Sequence, residues 1–549
     1  MSEEMEKKTE EVPGQFAHGL PLFLQGFGVG LCLFLPCVSA SIISTSLVTI
    51  TSDLHQFSQN SWVITSYLIG YTSFLMIWSK CGDVLGVKSS FLSALTIFVA
   101  FAVGCGSAQT MNELIICRAF QGIGASGVNT LAFFTFIRLV PASKYGNVTT
   151  AAATVMSLGW ILGPLLGGAI CVSGAWRWTF LFNAPAGIIA WLIVYFMIPN
   201  NFPHHCDPVE GKEQESFWDA QMTLLRRVDW LGAFLMLVGS LLITAALAEA
   251  DVRFKWSSGL VISFMTISVI AFIAFMVWEW AISRRAWKVE PMLPWRFLYN
   301  RVWMGVLSGF LLVGPSMTIL AIELPQRFQT VNASSPLGAG VKLLAYAAAQ
   351  PVGSLLSSLS SSRLQIPFIY ILLVAAILQT VGSFLLSSLP TTVDFWTGQL
   401  GYMVIAGLGV GASTTTLAVM IPLTVEKADQ RKSPISLTDF ILTSVEIAIG
   451  IALQLRMLGG VLGIAITNSV LNAYTKSHLP RLIPAADLSA LHDSAKALDY
   501  FPLATQAAVR AVYGAAFNKQ MQVVGGFSAA QLVFTLIMWQ KQPLHMIKK

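Results

Sequence analysis

Stretches of about 20 apolar residues recur along this chain with short polar connections between them, and such stretches are the length that crosses a bilayer. Lipid offers no hydrogen-bond partner to the backbone, so each crossing must be an α-helix or part of a closed barrel, and runs of this length select the helix. Spans are read near residues 22–48, 61–79, 90–108, 112–137, 149–172, 178–198, 230–250, 258–282, 302–324, 337–360, 366–388, 396–423, 449–471 and 518–540. Charged residues make up 11% of the chain, against about 25% in soluble domains. The net charge of +6 resides largely in interhelical connections and does not mark a nucleic-acid surface.

Lys and Arg concentrate in the segments that share a side with the N-terminus, which puts both termini in the cytoplasm. Two polar linkers divide the spans into six, two and six. The expected organisation is a tail at 1–21, a six-helix half at 22–198, a linker at 199–229 and two inserted helices at 230–282. A second linker at 283–301, a second six-helix half at 302–540 and a tail at 541–549 follow. The acidic start, MSEEMEKKTEEVPG, lacks the features of a signal peptide, so the first span is expected to stay uncleaved. The seven Cys show no paired spacing that would suggest a disulfide framework.

An internal repeat matches this division. Gly122-x-Gly124-x-x-Gly127 lies in span four, and Gly407-x-Gly409-x-Gly411 lies in the fourth span of the second half. Span thirteen carries Arg456, Gly459, Gly460 and Gly463 where the fifth helix of that half belongs. Parallel six-helix repeats build several secondary transporters. Chance clustering among 43 Gly is the competing explanation. The Gly122 run also has dinucleotide-binding spacing, but no strand precedes it, which excludes that reading.

Span five contains Gly159-x-x-x-Gly163-Pro164-x-x-Gly167-Gly168. Proline bends a helix, and glycines four apart let a neighbouring backbone, expected here to be that of the opposing half, approach in lipid. This string resembles the fifth-helix signature of proton-driven antiporters of the major facilitator superfamily. Arg118-Ala-Phe-Gln121-Gly-Ile-Gly-Ala125 resembles the superfamily's fourth-helix motif, which implies a buried Arg118, with Gln121 beside it, acting in proton transfer or substrate binding. Lys80-Cys-Gly82-Asp83-Val-Leu-Gly86-Val-Lys88 resembles its cytoplasmic loop motif, departing at Ser79 and Val87. The resemblance implies a latch in which Asp83 meets a helix N-terminus of the opposing half. Trp176-Arg-Trp178-Thr-Phe180-Leu-Phe-Asn183-Ala-Pro185-Ala-Gly187 is similar to the signature of the 14-span drug:proton antiporter branch, and Val509–Gln522 is similar to fungal members that export secondary metabolites.

One departure bears on mechanism. In the drug-exporting branch span one usually carries an Asp, and alignment places Ser39 there. Proton coupling then needs another carboxylate, for which Glu323 and Glu279 are the candidates, with Glu249 and Asp251 behind them. Each competes with a simple interfacial role. His204-His205-Cys206-Asp207 reads as solvated linker rather than a metal site, and no cofactor or metal is expected. Residues 424–448 exceed the family pattern by an inserted stretch, and 431–448 are expected to be dispensable to the bundle. Asn332-Ala-Ser334 is a glycan acceptor on the external side, whereas Asn147-Val-Thr149 faces the cytoplasm.

These features predict an all-α major facilitator bundle of two six-helix halves plus two inserted helices. The expected function is proton-coupled export of a small amphipathic organic compound, by a monomer in the plasma membrane or a vesicle or vacuole membrane. The alternatives are an importer of siderophores or other small molecules with the same fold, and a non-transporting sensor. A membrane enzyme is not expected, because no His-box or Ser–His constellation is present.

Overall fold

The structure is a computed structural model that describes residues 19–54, 60–140, 144–172, 175–199, 202, 229–250, 254–284, 291–293, 295, 299–429, 437–483, 501–540 and 544. Sixteen α-helices account for nearly all of these residues. The first half comprises α1 (Leu20–Ser41), α2 (Ile43–Asp53), α3 (Asn60–Leu85), α4 (Val87–Ser107), α5 (Met111–Arg138), α6 (Tyr145–Val172), α7 (Trp178–Leu181) and α8 (Asn183–Met197). The inserted pair is α9 (Trp230–Glu249) and α10 (Gly259–Arg284). The second half comprises α11 (Arg301–Thr330), α12 (Pro336–Ser362), α13 (Phe368–Leu386), α14 (Gln399–Asp429), α15 (Leu437–His478) and α16 (Leu503–Ile537). With α1–α2 and α7–α8 each taken as one interrupted helix, fourteen helical segments follow the order read from the sequence.

Eleven of these segments are long and apolar enough to cross a membrane. The other three, α3, α5 and α12, are diluted by polar residues that face protein rather than lipid. Ser66, Thr72 and Ser73 of α3, Gln121 and Asn129 of α5, and Ser354, Ser357 and Ser358 of α12 are all buried. The inserted α10 is the opposite case, with Ile262, Ile267, Ile270, Ile273 and Val277 exposed along it. Average apolarity therefore falls where buried polar side chains gather, whereas α14 and α15 keep enough of it while largely buried.

The two halves repeat one packing scheme. The fourth helix presses on the second and third through glycines. A Cβ at Gly122 would overlap the Tyr67 carbonyl, and one at Gly124 the backbone of Phe98. At the equivalent places, a Cβ at Gly407 would meet the Tyr346 carbonyl and one at Gly409 the backbone of Gln379. The two tyrosines also match: Tyr67 Oη donates to Pro36 O at 3.2 Å and Tyr346 Oη to Ser316 O at 3.2 Å, each on the first helix of its half. The glycine repeat in the sequence is thus the trace of a repeated structure.

The inserted pair joins both halves. Within it, Ser268 Oγ donates to Gly239 O at 2.7 Å. Gln454 Nε2 of α15 donates to Ser240 Oγ at 2.6 Å, Trp256 Nε1 donates to Ser469 Oγ at 2.8 Å, and α9 packs on α3.

α15 departs from the expected span 449–471. It runs 42 residues, about 63 Å, or twice the hydrocarbon thickness. Its first turns occupy part of the stretch expected to be dispensable. Val445, Ile447, Ala448 and Ile449 are buried in the main core, and a Cβ at Gly450 would press on Ser79 of α3. Residues 445–448 are therefore part of the packed bundle, which corrects that expectation, while 430–436 lie outside the described residues.

Candidate functional site

The glycine–proline motif of α6 seats on the first helix of its own half, at the break between α1 and α2. A Cβ at Gly159 would meet Cys37 Cβ at 2.7 Å, one at Gly163 Ile42 N at 2.9 Å, and one at Gly167 Ile42 O at 2.5 Å. Ser41 Oγ donates to Gly159 O at 3.2 Å and Thr45 Oγ1 to Pro164 O at 3.0 Å, so the hydroxyls fasten the motif to the first helix. Gly168 faces open space. The expectation that these glycines meet the opposing half is corrected: the contact lies within the first half, and Gly168 takes no part in it. Gly459 and Gly463 seat α15 on α11 in the same manner.

The opposite face of α6 meets α12 across the seam between the halves. Thr150 Oγ1 donates to Ser354 O at 3.2 Å, and Ser358 Oγ donates to Asn147 Oδ1 at 3.4 Å. Both contacts lie where α6 begins and α12 ends, the cytoplasmic side in the topology read from charge. Toward the other end of the pair, a Cβ at Gly340 would meet Leu165 Cδ2 at 3.4 Å, an apolar approach.

Arg118 is fixed within α5, which opens on a capping box between Thr110 and Glu113. Its side chain is 1% exposed. Nε donates to Val63 O at 3.2 Å, and Nη1 donates to Gln121 Oε1 at 2.9 Å and Ser39 O at 3.5 Å. The guanidinium lies over the Tyr67 ring at 4.1 Å and near Phe180 at 5.7 Å. Arg118 is thus buried, and Gln121 is its hydrogen-bond partner. Ser39, where the branch usually has Asp, is next to the guanidinium, and its hydroxyl donates to Asn183 Oδ1 at 2.9 Å. The charge of Arg118 is thus met by neutral acceptors and ring faces.

The two candidate glutamates have different settings. Glu323 is 1% exposed within the second half, pairs with Gln520, and leaves Oε2 without a partner. Gln520 in turn donates to Thr467 O at 3.1 Å. Glu279 sits near the end of α10, where its Oε1 accepts from Met292 N at 2.9 Å. Asp229 beside it caps α9 by accepting from Gly232 N at 2.8 Å, and Lys80 lies within electrostatic reach of Glu279. Glu279 therefore fastens the linker to the inserted pair. The Glu249 side chain, Asp251 and His204–Asp207 lie outside the described residues.

Of the loop motif, Gly86 adopts φ +87°, which favours glycine, and it precedes the first turn of α4. Gly82 is buried. Lys88 Nζ stands 5.2 Å over the Tyr195 ring of α8, in its own half. The side chain of Asp83 lies outside the described residues. The Trp176 motif closes the far end of the first half: Trp176 Nε1 donates to Asp53 Oδ2 at 2.8 Å, and Arg177 pairs with the same carboxylate at 3.3 Å. Asn332 donates its amide to Val393 O at 3.1 Å, engaging the atom a glycan would join.

Arg456 received no role from the sequence, although an arginine inside an apolar span is itself a functional signal. It lies on α15, 6% exposed, within electrostatic reach of Tyr71 on α3 and Cys37 on α1.

Comparison with known proteins agrees with this architecture. The sequence profile of the Major Facilitator Superfamily matches residues 29–293. The MFS-type transporter FPY5 of Fusarium mangiferae is 35% identical over 515 residues, covering 93% of this chain and 83% of that protein. The chain belongs to the major facilitator superfamily. It is a multi-pass membrane transporter and not an enzyme. The efflux pump aflT of Aspergillus parasiticus is 24% identical, covering 86% of each chain. A structure of the proton:xylose symporter XylE superposes with a TM-score of 0.56 at 13% identity, over 94% of this chain and 95% of that one, which shows the shared fold.

Proposed function

We propose that this transporter exports a small amphipathic organic compound, of the drug, toxin or secondary-metabolite class, by alternating access coupled to proton entry. The observation that carries the reading is the two-faced α6. Its glycine face is fastened to α1–α2, while its other face closes the seam against α12 with its described polar contacts at the cytoplasmic end. A bundle closed at that end is poised to release cargo outward. The efflux pump among its relatives supports the same direction.

Glu323 is the carboxyl group we assign to proton coupling, with Arg118 and Gln121 holding the first-half interior. All fourteen helical segments cross the membrane in this reading, both termini are cytoplasmic, and the monomer works in the plasma membrane. Cells expressing the chain should lose preloaded amphipathic dyes faster than cells without it, and a protonophore should abolish the difference. Faster dye uptake would remove export, and loss indifferent to the protonophore would leave a facilitator.

A further inference from the structure

Four arginines are buried among the described residues, and three of them are neutralised in the same way. Arg118 donates to Val63 O and Ser39 O, Arg327 to Gly514 O and Pro390 O, and Arg510 to Thr330 O. Arg456 makes no hydrogen bond or ion pair with any described residue, and its Nε is buried without a partner. A guanidinium within an apolar span with a buried N–H left unpartnered is costly and is retained where it has work to do.

Its surroundings are built from the opposite half. Arg456 comes from α15, whereas Tyr71 and Cys37 within its electrostatic reach come from α3 and α1, and Asn129 of α5 joins them through Tyr71. Asn129 Nδ2 donates to Tyr71 Oη, which leaves Asn129 Oδ1 unsatisfied. Tyr71 stacks on Tyr67 with ring centroids 5.9 Å apart, and Tyr67 carries the Arg118 guanidinium on its face. Two cations therefore flank a tyrosine pair at the seam. The buried carboxylates, Asp229, Glu279 and Glu323, are each engaged elsewhere.

We infer that Arg456, with Tyr71 and Asn129, is the binding site for the negative charge of the cargo, and that the cargo is a conjugated organic anion such as a carboxylate, phenolate or acidic enol. This rests on the transporter reading and specifies its substrate class. Arg456 supplies a charge-assisted fork, the Tyr67–Tyr71 pair supplies a face for a planar conjugated body, and parting of the halves opens the nook. An anion also supplies the partner that the resting seam withholds from Arg456.

The test uses two xanthene dyes of similar shape and opposite charge, fluorescein and rhodamine 123, with the purified full chain and fluorescence polarisation as readout. Fluorescein should bind at least tenfold tighter than rhodamine 123. Arg456→Gln should weaken fluorescein at least tenfold without affecting rhodamine 123, and Arg456→Lys should recover only part of the loss because it keeps charge but not the fork. Size-exclusion profiles check that the variants fold. If Arg456→Gln does not fold, the dye preference of the unsubstituted chain decides. Equal or tighter binding of rhodamine 123, or undiminished fluorescein binding in folded Arg456→Gln, overturns the inference. Binding needs no gradient, so a failure of proton coupling leaves this result standing. Efflux of rhodamine 123 without fluorescein binding would sink the anion site and spare the export reading.

Discussion

Alanine at Gly163 and alanine at Gly168 should have opposite effects on stability, although the two glycines share one motif and one helix. At Gly163 a Cβ would lie 2.9 Å from Ile42 N and 3.0 Å from Ser41 Cβ, and would overlap Ser41 Oγ. The hydroxyl can rotate away, but it then gives up its bonds to Cys37 O at 2.9 Å and Gly159 O at 3.2 Å. A neutral hydrogen bond is worth about 1 kcal/mol. The backbone of Ile42 can yield only by displacing α1 from α2, and overpacking of this kind costs about 1–3 kcal/mol. The helix-propensity gain of Gly→Ala returns about 1 kcal/mol. Gly163→Ala should therefore lose about 2–4 kcal/mol. Gly168, with nothing within 4 Å of the added carbon, should keep the gain of about 1 kcal/mol. Thermal unfolding of the purified variants, followed by tryptophan fluorescence at one scan rate, should separate their midpoints by several degrees, in the order Gly168→Ala, unsubstituted chain, Gly163→Ala. Coincident midpoints for the two variants would refute the seating of α6 on the α1–α2 break.

Arg118→Ala should reach the cell surface yet lose at least tenfold in transport, since Val63 O, Ser39 O and Gln121 Oε1 all lose their donor; wild-type dye efflux by this variant would remove Arg118 from the mechanism. Arg118→Lys should recover little, because one ammonium cannot reproduce the fork. Glu323→Gln preserves shape and should fold normally, but its dye flux should no longer respond to an imposed pH gradient; an unchanged response in vesicles would move proton coupling to another group. A variant lacking 431–448 should give a lower monodisperse yield, because Val445, Ile447 and Ala448 leave the core; full yield with normal efflux would restore the reading of a dispensable insertion.

The sequence carried the fold well because the bilayer leaves few choices. Apolar length located the lipid-facing helices, and glycines at 122, 124, 407 and 409 marked close approaches that the structure repeats in both halves. Arg118 was legible because an intramembrane charge is conspicuous. What could not be read was partnership. Glu279 and Glu323 look alike in sequence as acids near span ends, but one accepts from Met292 N of a linker and the other pairs with Gln520 in a helix interior. Gly163 announces a close approach without saying to what, and its partner is Ile42 rather than the opposing half. Arg456 is as conspicuous as Arg118 in sequence, but only the structure shows its Nε buried without a partner. The length of α15 was also hidden, because a helix leaving lipid keeps its backbone bonds while losing the apolarity that marks it.

The contrast between the two faces of α6 indicates which contacts should break during transport. On the glycine face, backbone meets backbone along Gly159, Gly163 and Gly167, with two hydroxyls bonding across. On the seam face, the described polar contacts are Thr150 to Ser354 O and Ser358 to Asn147 Oδ1, each worth about 1 kcal/mol net. A conformational equilibrium that substrate and protons can shift needs a free-energy gap of that modest scale. Rocking should therefore part α6 from α12 and leave α6 seated on α1–α2. The segment around Pro164 then moves with the first half as a rigid unit. In this arrangement the motif's purpose is to make that half stiff enough for a weak seam to open as one step.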